Sequence, residues 1–223
     1  MPDNTLMKKT KYFLELREMN FSGGIRGKDF SNADLNNADL HEMQIVDVDF
    51  HNAKLDNLNL YDCHLVNCNF SNALMTRVIG RKVRMLNCTF DGTDMSQADF
   101  GESMIYKSRF ENTDIHLCKM SGAKIVDTFF NKINALGTDF SSSCLTGVEM
   151  FSADMRNTNF NKASVVNCKF VDSSLEYASF NQSTIYDTKL ELCHTDGMLI
   201  FETRTDLDVD TLKDARIIDV RKI

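Results

Sequence analysis

Two pairs of adjacent residues in this chain combine a cysteine with a histidine, and these side chains are common zinc ligands in proteins. The pairs are Cys63–His64 and Cys193–His194. Because the chain has seven cysteines and five histidines, two kinds of chemistry have to be considered: a metal site, and a cysteine nucleophile activated by a histidine base. Both require the paired side chains to point the same way.

Aspartates recur at a second suggestive spacing, since Asp29, Asp34 and Asp39 lie five residues apart. Paired carboxylates can act as general acid and general base. The same spacing, however, governs every residue type around them. Residues 31–40 read SNADLNNADL, so each unit has a small residue, Asp or Asn, a large apolar residue and two polar ones. The aspartates therefore belong to a sequence repeat.

The repeat has a fixed frame, in which multiples of five from Ile25 to Ile200 carry the large apolar residue. Of these 36 positions 34 are apolar, and the exceptions are Gly80 and Thr195. A period of five fits neither a helix of about 3.6 residues per turn nor a simple two-residue alternation. It fits a coil in which each unit forms one short side, with the large residue and the small residue two positions before it pointing inward.

Residues that lie 20 apart are still more alike. The set from Ile25 to Ile185 is aliphatic throughout. The neighbouring set is rich in phenylalanine and reads Phe30, Phe50, Phe70, Phe90, Phe110, Phe130, Met150, Phe170, Leu190. Four units per coil would stack each set on one side. The sequence therefore predicts a four-sided rod of nine coils, about 43 Å long if neighbouring strands lie about 4.8 Å apart.

Over residues 21–202 this pattern resembles that of the pentapeptide-repeat family, which is small–Asp/Asn–Leu/Phe–polar–polar. The resemblance implies an all-β, right-handed quadrilateral parallel β-helix. We expect residues 1–20 to form a helical N-terminal cap. The five-residue frame shifts after Phe201, so we expect 203–223 to form either a partial coil after a short insertion or a short capping helix. Since some family members dimerise through their C-terminal ends, the resemblance also allows a homodimer there.

The five-residue frame changes how the chemically suggestive residues are interpreted. Six of the seven cysteines fall in the inward small position, and only Cys144 points outward. Each Cys–His pair points to opposite faces of a strand, so neither pair can bind one ion. The aspartates before the apolar residues are expected to form local hydrogen bonds with the backbone. We therefore expect no catalytic, metal or cofactor site and no enzymatic activity.

The net charge and the distribution of apolar residues limit the expected location of the protein and the partners it can bind. The net charge of −7 disfavours direct binding to nucleic acid. No apolar segment approaches the roughly 18 residues of a membrane span, and residues 1–20 lack the apolar core of a signal peptide. We expect a cytoplasmic protein, although an effector exported by a signal without an apolar core would escape this test.

The corners of the rod fall into two groups. Those after the aliphatic units, from Gly27 to Asp187, mostly carry Asn, Asp or Gly, and we expect a positive φ there. Those that end each coil, from Glu42 to Glu202, mostly carry Glu, Lys, Ser or Gln, with Asp62 and Gly122 as the exceptions. We expect this second group to turn differently.

One outward row of residues does not follow from the repeat. It comes directly after the aliphatic positions and consists of Val46, Val66, Leu86, Tyr106, Val126, Thr146, Val166 and Tyr186. The β-propensity of these residues on a sheet surface is one explanation. Contact with a partner or a second copy is the other, because long exposed apolar patches mark binding surfaces. All members except Thr146 are candidate partner-binding residues.

A second irregular feature is the stretch TRVIGRKVR at 76–84. Gly80 replaces a core side chain there, and we expect a gap that loosens the stack. The stretch is either a tolerated defect with solvated charges or a binding patch. The candidate patch residues are Arg77, Ile79, Gly80, Arg81, Lys82 and Arg84.

We therefore expect a non-enzymatic, protein-binding scaffold that acts through an outer face of a rod-like β-helix. The family resemblance implies an alternative, a DNA mimic that binds DNA gyrase or another type II topoisomerase and modulates quinolone sensitivity. The acidic charge fits this alternative, whereas the apolar row fits a protein partner better, because a DNA mimic needs acid on its contact face. A translocated bacterial effector is a further alternative. We expect no membrane contact and no cofactor.

Overall fold

Residues 24–208, 212, 215–218 and 221–222 are described in a computed structural model of the chain. The predicted N-terminal cap at 1–20 lies outside these residues. The described residues form short parallel strands, bridges and turns, and neighbouring coils pair in register at a spacing of 20 residues, as in Ile45 with Leu65. The predicted four-sided parallel β-helix of about nine coils is confirmed. No helix in the described part of the chain is long and apolar enough to span a membrane.

An eleven-stranded parallel sheet forms the aliphatic side of the rod. Each three-residue strand of this sheet places one apolar residue inside and its two neighbours outside. The strands are β1 (Ile25–Arg26), β2 (Gln44–Val46), β3 (His64–Val66), β4 (Arg84–Leu86), β5 (Met104–Tyr106), β7 (Lys124–Val126), β9 (Cys144–Thr146), β11 (Ser164–Val166), β13 (Thr184–Tyr186), β16 (Arg204–Thr205) and β18 (Arg221–Lys222).

The phenylalanine side carries a five-stranded sheet in the later coils only. Its strands are β6 (Arg109–Glu111), β8 (Phe129–Asn131), β10 (Glu149–Phe151), β12 (Lys169–Val171) and β14 (Lys189–Glu191). Earlier coils pair on this side through single bridges, such as Asp29 with Asp49. The third side, which begins at Leu35, and the fourth side, which begins at Leu40, are also mostly single bridges. A final pair, β15 (Leu199–Phe201) and β17 (Arg216–Ile218), lies on the fourth side.

The core is filled by the residues that the frame points inward. From Phe30 to Phe130 the rings stack in one column, with centroids 4.6–5.6 Å apart. Phe170 does not extend this column, because Met150 intervenes, and its ring contacts Phe160 edge-on at 6.3 Å. A second column, Phe140–Phe160–Phe180, stacks on the fourth side with centroids 5.0 and 4.6 Å apart. Sequence analysis missed this second column, although its members share the same 20-residue spacing.

Both groups of corners have a positive φ, so the prediction that they differ in this respect was wrong. Asp47 after an aliphatic unit has φ 55°, and Glu42 at the end of a coil has φ 60°. The solenoid needs a left-handed backbone conformation at each such corner. Residues other than glycine that do not favour this conformation are held in it by the stacked coils. The hydrogen bonding does differ: the Met43 amide donates to the Leu40 carbonyl at 3.3 Å and closes that turn.

Gly80 leaves no gap, so the predicted loosening of the stack was wrong. The Phe100 ring, one coil later, leans into the space of the missing side chain, and a Cβ on Gly80 would lie 2.3 Å from Phe100 Cε1. The ladder is unbroken, because Ile79 bridges both Asn59 and Asp99 in register. Gly80 is therefore the residue that makes room for Phe100.

The repeat frame continues beyond the position where we expected it to shift. Thr205 still pairs with Ile185, 20 positions earlier. The next coil is shortened, because Ile200 pairs with Ile217, only 17 positions later. The described residues thus pair as a partial coil in which the repeat is shortened and not lengthened by an insertion. Arg216 and Ile217, at the end of the predicted capping helix, lie in a strand. Residues 209–211 and 213–214 of the predicted C-terminal cap lie outside the described residues.

Candidate functional site

On the eight strands from β2 to β13 of the eleven-stranded sheet, the outward side chains form two parallel rows, which together we call the outer sheet face. Pairing in register fixes both rows, as in Leu86 with Tyr106 and Arg84 with Met104. The first row is Gln44, His64, Arg84, Met104, Lys124, Cys144, Ser164 and Thr184. The second row is the predicted apolar row, Val46, Val66, Leu86, Tyr106, Val126, Thr146, Val166 and Tyr186.

The second row lies where the sequence placed it, on the outside of one flat sheet. Most of its side chains are half-buried by their neighbours along the row, whereas Leu86 and Tyr186 are 44% and 49% exposed. Sequence analysis missed Met104 of the first row, which is 38% exposed. It pairs with Arg84 and lies in the same strand as Tyr106. The 20-residue spacing from Arg84 is the signal that could have found it.

The outer sheet face has an unusual charge pattern for this protein. Neither row contains an aspartate or a glutamate, although the chain has 32 of them. Its cations, Arg84 and Lys124, lie on either side of Met104, and neither forms an ion pair with another described residue. The Lys124 Nζ atom lies 5.8 Å from the centroid of the Tyr106 ring, a cation–π distance.

The predicted basic patch at 77–84 does not form one surface. Arg77 lies at the corner between the third and fourth sides and donates from Nε to Asn57 Oδ1 at 3.0 Å. Lys82 lies at the corner between the fourth and aliphatic sides, with its Nζ 5.6 Å from the centroid of the Tyr61 ring. The neighbouring Tyr61 side chain raises the pKa of Lys82. Ile79 lies between these corners and is 47% exposed.

The other two arginines of this stretch have different surroundings. Arg81 forms an ion pair with Glu102 and lies 3.7 Å from Asp99, so its charge is largely matched. Arg84 belongs to β4 and to the outer sheet face. Of the predicted patch, the structure therefore brings only Arg84 to the apolar row.

The cysteines have structural surroundings. Five of them are buried: Cys63, Cys68, Cys88, Cys118 and Cys168. Their thiols donate to carbonyl groups of the preceding coil, as from Cys118 Sγ to Met95 at 2.9 Å. Burial raises the pKa of Cys63 and Cys118 to about 12. Cys144, on the outer sheet face, and Cys193 are partly exposed. In the described part of the chain, no cluster of three or more His, Cys, Asp or Glu could hold a metal ion.

Two aspartate–histidine pairs resemble catalytic dyads at first sight. Asp39 Oδ1 lies 2.8 Å from His41 Nδ1, and Asp114 Oδ1 lies 2.8 Å from His116 Nδ1. The hydrogen bond to Asp39 raises the pKa of His41. In each pair the same carboxylate oxygen also accepts the backbone amide of the histidine, at 3.3 and 2.9 Å. This is the local bond that the repeat predicts for its aspartates, and Asp29 forms it with Ser31 at 2.8 Å.

A shallow depression of about 420 Å³ lies on the third side of the later coils. Its lining is Ser152, Ala153, Asp154, Arg156, Asp172, Ser174, Glu176 and His194. The Arg156 guanidinium donates to Asp154 at 2.8 and 2.6 Å. This pairing satisfies the one arginine that lines the depression. Two nearby corner residues, Tyr177 and Leu192, are 63% and 82% exposed.

The fold and the repeat define this protein as a quadrilateral parallel β-solenoid. The sequence model of the family described as "Pentapeptide repeats" matches the chain in eight copies, over residues 25–52, 44–79, 84–122 and 153–191. The chain belongs to the pentapeptide-repeat family.

Solved structures of the same fold include a trypsin-treated variant of QnrB1, a plasmid-mediated fluoroquinolone resistance protein. It has a TM-score of 0.53 and 12% identity, over 89% of each chain. HetL, a pentapeptide repeat protein involved in heterocyst differentiation regulation from the cyanobacterium Nostoc, has a TM-score of 0.36 and 15% identity, over 88% of this chain and 84% of its own. At 12% identity the likeness to QnrB1 shows the fold alone. A search of curated proteins gave no match.

Proposed function

We propose that this protein is a non-enzymatic protein-binding scaffold and that the outer sheet face is its binding surface. The observation that carries the proposal is the second row, which runs over eight coils in one register and has an apolar side chain in every coil except that of Thr146. Stacked repeats present extended, rigid surfaces of this kind. Long exposed apolar patches on soluble proteins mark sites of contact.

Sheet propensity alone does not account for this face. The five-stranded sheet on the phenylalanine side has the same construction, and its outward residues include Arg109, Glu111, Glu149 and Lys169. These charges pair, as in Lys169 Nζ to Glu149 Oε1 at 2.7 Å. A sheet of this repeat therefore tolerates alternating charges on its outside. The absence of carboxylates from the outer sheet face is a property of that face and not of the fold.

The test places two lysines in the apolar row, with Val66→Lys combined with Val126→Lys. Partners captured by the wild-type protein are identified by mass spectrometry, purified and titrated against each variant. We expect binding to weaken by more than about tenfold, the effect of roughly 1.4 kcal/mol, while the unfolding midpoint stays close to that of the wild type. The matched control is Asn131→Lys with Val171→Lys, at the same strand position on the phenylalanine side. Equal binding by the wild type and the Val66/Val126 variant would refute the proposal.

A second candidate function is topoisomerase binding by DNA mimicry. It is supported by columns of carboxylates on the other sides, such as Asp94 beside Asp114 on the third side and Asp29 beside Asp49 on the phenylalanine side. Acidic columns can imitate a phosphate backbone, whereas the outer sheet face cannot. A gyrase supercoiling assay with and without a fluoroquinolone, titrated with this protein, tests it. Protection or inhibition would favour the mimic, and no effect at any protein concentration would eliminate it.

A further inference from the structure

The centre of the outer sheet face combines apolar and cationic side chains on three neighbouring strands. Six outward residues of β4, β5 and β7 form it: Arg84, Leu86, Met104, Tyr106, Lys124 and Val126. Leu86 and Met104 are the exposed apolar members, at 44% and 38%. Apolar contact and positive charge thus occur side by side on an otherwise acidic protein.

The charge of this centre selects the sign of its partner. Arg84 and Lys124 lie two coils apart in the first row, with Met104 between them. Lys107 follows Tyr106 at the adjoining corner. Carboxylates lie at the edges of this centre, as at Glu102 and Asp127, but none lies in either row. Within the rows an acidic partner therefore gains attraction at Arg84 and Lys124, and a basic partner gains none. Only two cations in sixteen outward positions, together with a net charge of −7, make a poor surface for nucleic acid.

The spacing of the coils selects the conformation of that partner. Neighbouring strands lie about 4.8 Å apart, so the second row offers one apolar side chain every ~4.8 Å along the rod. An α-helix that lies along the row places the side chains of one face about 5.4 Å apart, one per turn. An extended segment in the same direction places the side chains of one face about 6.8 Å apart, which is twice its rise per residue. The 5.4 Å repeat of the helix is therefore closer to the 4.8 Å spacing of the coils than the 6.8 Å repeat of the extended segment.

We infer that the outer sheet face binds an acidic amphipathic α-helix of a partner protein, lying along the rod axis. This inference rests on the proposed function, because it names the partner class of the same surface. The apolar stripe of the helix packs on Leu86, Tyr106 and Val126. Arg84 and Lys124 are about 9.6 Å apart along the rod, twice the strand spacing. Two helix turns rise about 10.8 Å, so carboxylates seven residues apart in the helix face these two cations.

A peptide-display selection tests the inference without a known partner. The library holds peptides of about 20 residues, long enough for a helix of roughly 30 Å, and selection uses the full chain. Enriched peptides are rescreened against the Val66→Lys/Val126→Lys variant to find those that need the outer sheet face. We expect that group to be acidic, to carry carboxylates seven residues apart and to become helical by circular dichroism on binding.

Other outcomes distinguish a failure of the helix inference from a failure of the proposed function. Face-dependent peptides that are basic, neutral or extended would overturn the helix inference and leave the proposed function in place. Enriched peptides that bind the Val66/Val126 variant as well as the wild type would overturn both. A labelled DNA duplex or RNA strand that binds this face more tightly than any selected peptide would also overturn the inference.

Charge reversal then tests the role of the two cations. The best acidic helix is titrated by fluorescence anisotropy against Arg84→Glu with Lys124→Glu. We expect its Kd to rise by at least about tenfold, and the wild-type Kd to rise with salt because the attraction is screened. The control is Lys54→Glu with Lys119→Glu, outward residues of the third and fourth sides, and its Kd should stay within about twofold. An unchanged Kd for the Arg84/Lys124 variant would overturn the cationic part of the inference.

Discussion

The aliphatic side and the phenylalanine side of this rod are built from the same repeat and differ both inside and outside. Inside, one stacks branched aliphatic residues and the other stacks rings, as in Phe90, Phe110 and Phe130 at 4.7 and 4.6 Å. Outside, one carries an apolar row without carboxylates and the other carries paired charges such as Lys169–Glu149. The inward residues set the stability of the rod, and the outward residues are free to be selected for binding.

The interior difference predicts the largest effect. Phe110 is fully buried between two stacked rings, so Phe110→Ala should lower the free energy of unfolding by about 3–5 kcal/mol. On the aliphatic side, Ile125→Val removes one methyl group and should cost about 0.5–1.5 kcal/mol. Urea melts of both variants measure the two losses. A loss below about 1 kcal/mol for Phe110→Ala would contradict the inward ring column.

The next effect tests whether the fourth side is packed without a gap. Because a Cβ on Gly80 would overlap the Phe100 ring, Gly80→Ala should destabilise the protein by roughly 1–3 kcal/mol. Adding Phe100→Leu should recover part of that loss, since the two sites contact each other. A double-mutant cycle by denaturant melts measures this coupling. A stabilising effect of Gly80→Ala would mean that the site holds a gap after all.

A smaller effect distinguishes the corners of the phenylalanine side. Leu192 has φ 55° and is 82% exposed, whereas Asn112 in the same column has φ 50°. Asparagine tolerates the left-handed region better than leucine. Leu192→Asn should therefore stabilise the protein by up to about 1 kcal/mol, and Asn112→Leu should destabilise it by a similar amount. Thermal melts of the two variants should shift in opposite directions. Shifts of the same sign would show that corner strain is not the cause.

Much of this fold could be predicted because the repeat expresses inward packing at fixed positions. The sorting of residues at a spacing of 20 gave both the four sides and the apolar row. The details that failed depend on contacts that one unit does not encode. Gly80 looks like a defect until Phe100, one coil away, is seen to lean over it. Glu42 has the left-handed φ that the coil imposes, although its residue type does not favour it.

Only part of the candidate site could be predicted from the sequence, because the pairing of strands decides which residues share a side. In the five-residue frame the apolar row and the basic stretch are separate features. Pairing of neighbouring strands places Arg84 and Met104 directly beside the row, while it places Arg77 and Lys82 at other corners. A linear charge run does not show which of its members share a side. Partner chemistry follows from the shared side and not from the run.

The central claim, that the outer sheet face binds a protein partner, is tested most directly by thiol protection. Cys144 lies in the first row of this face, and Cys193 lies at the start of the third side, directly after the corner residue Leu192; both are partly exposed, whereas the other five thiols are buried. Rates of maleimide labelling are measured by mass spectrometry with and without a saturating partner. We expect Cys144 to be protected at least about tenfold and Cys193 to react at an unchanged rate. Unchanged labelling of Cys144 in the saturated complex would contradict the account.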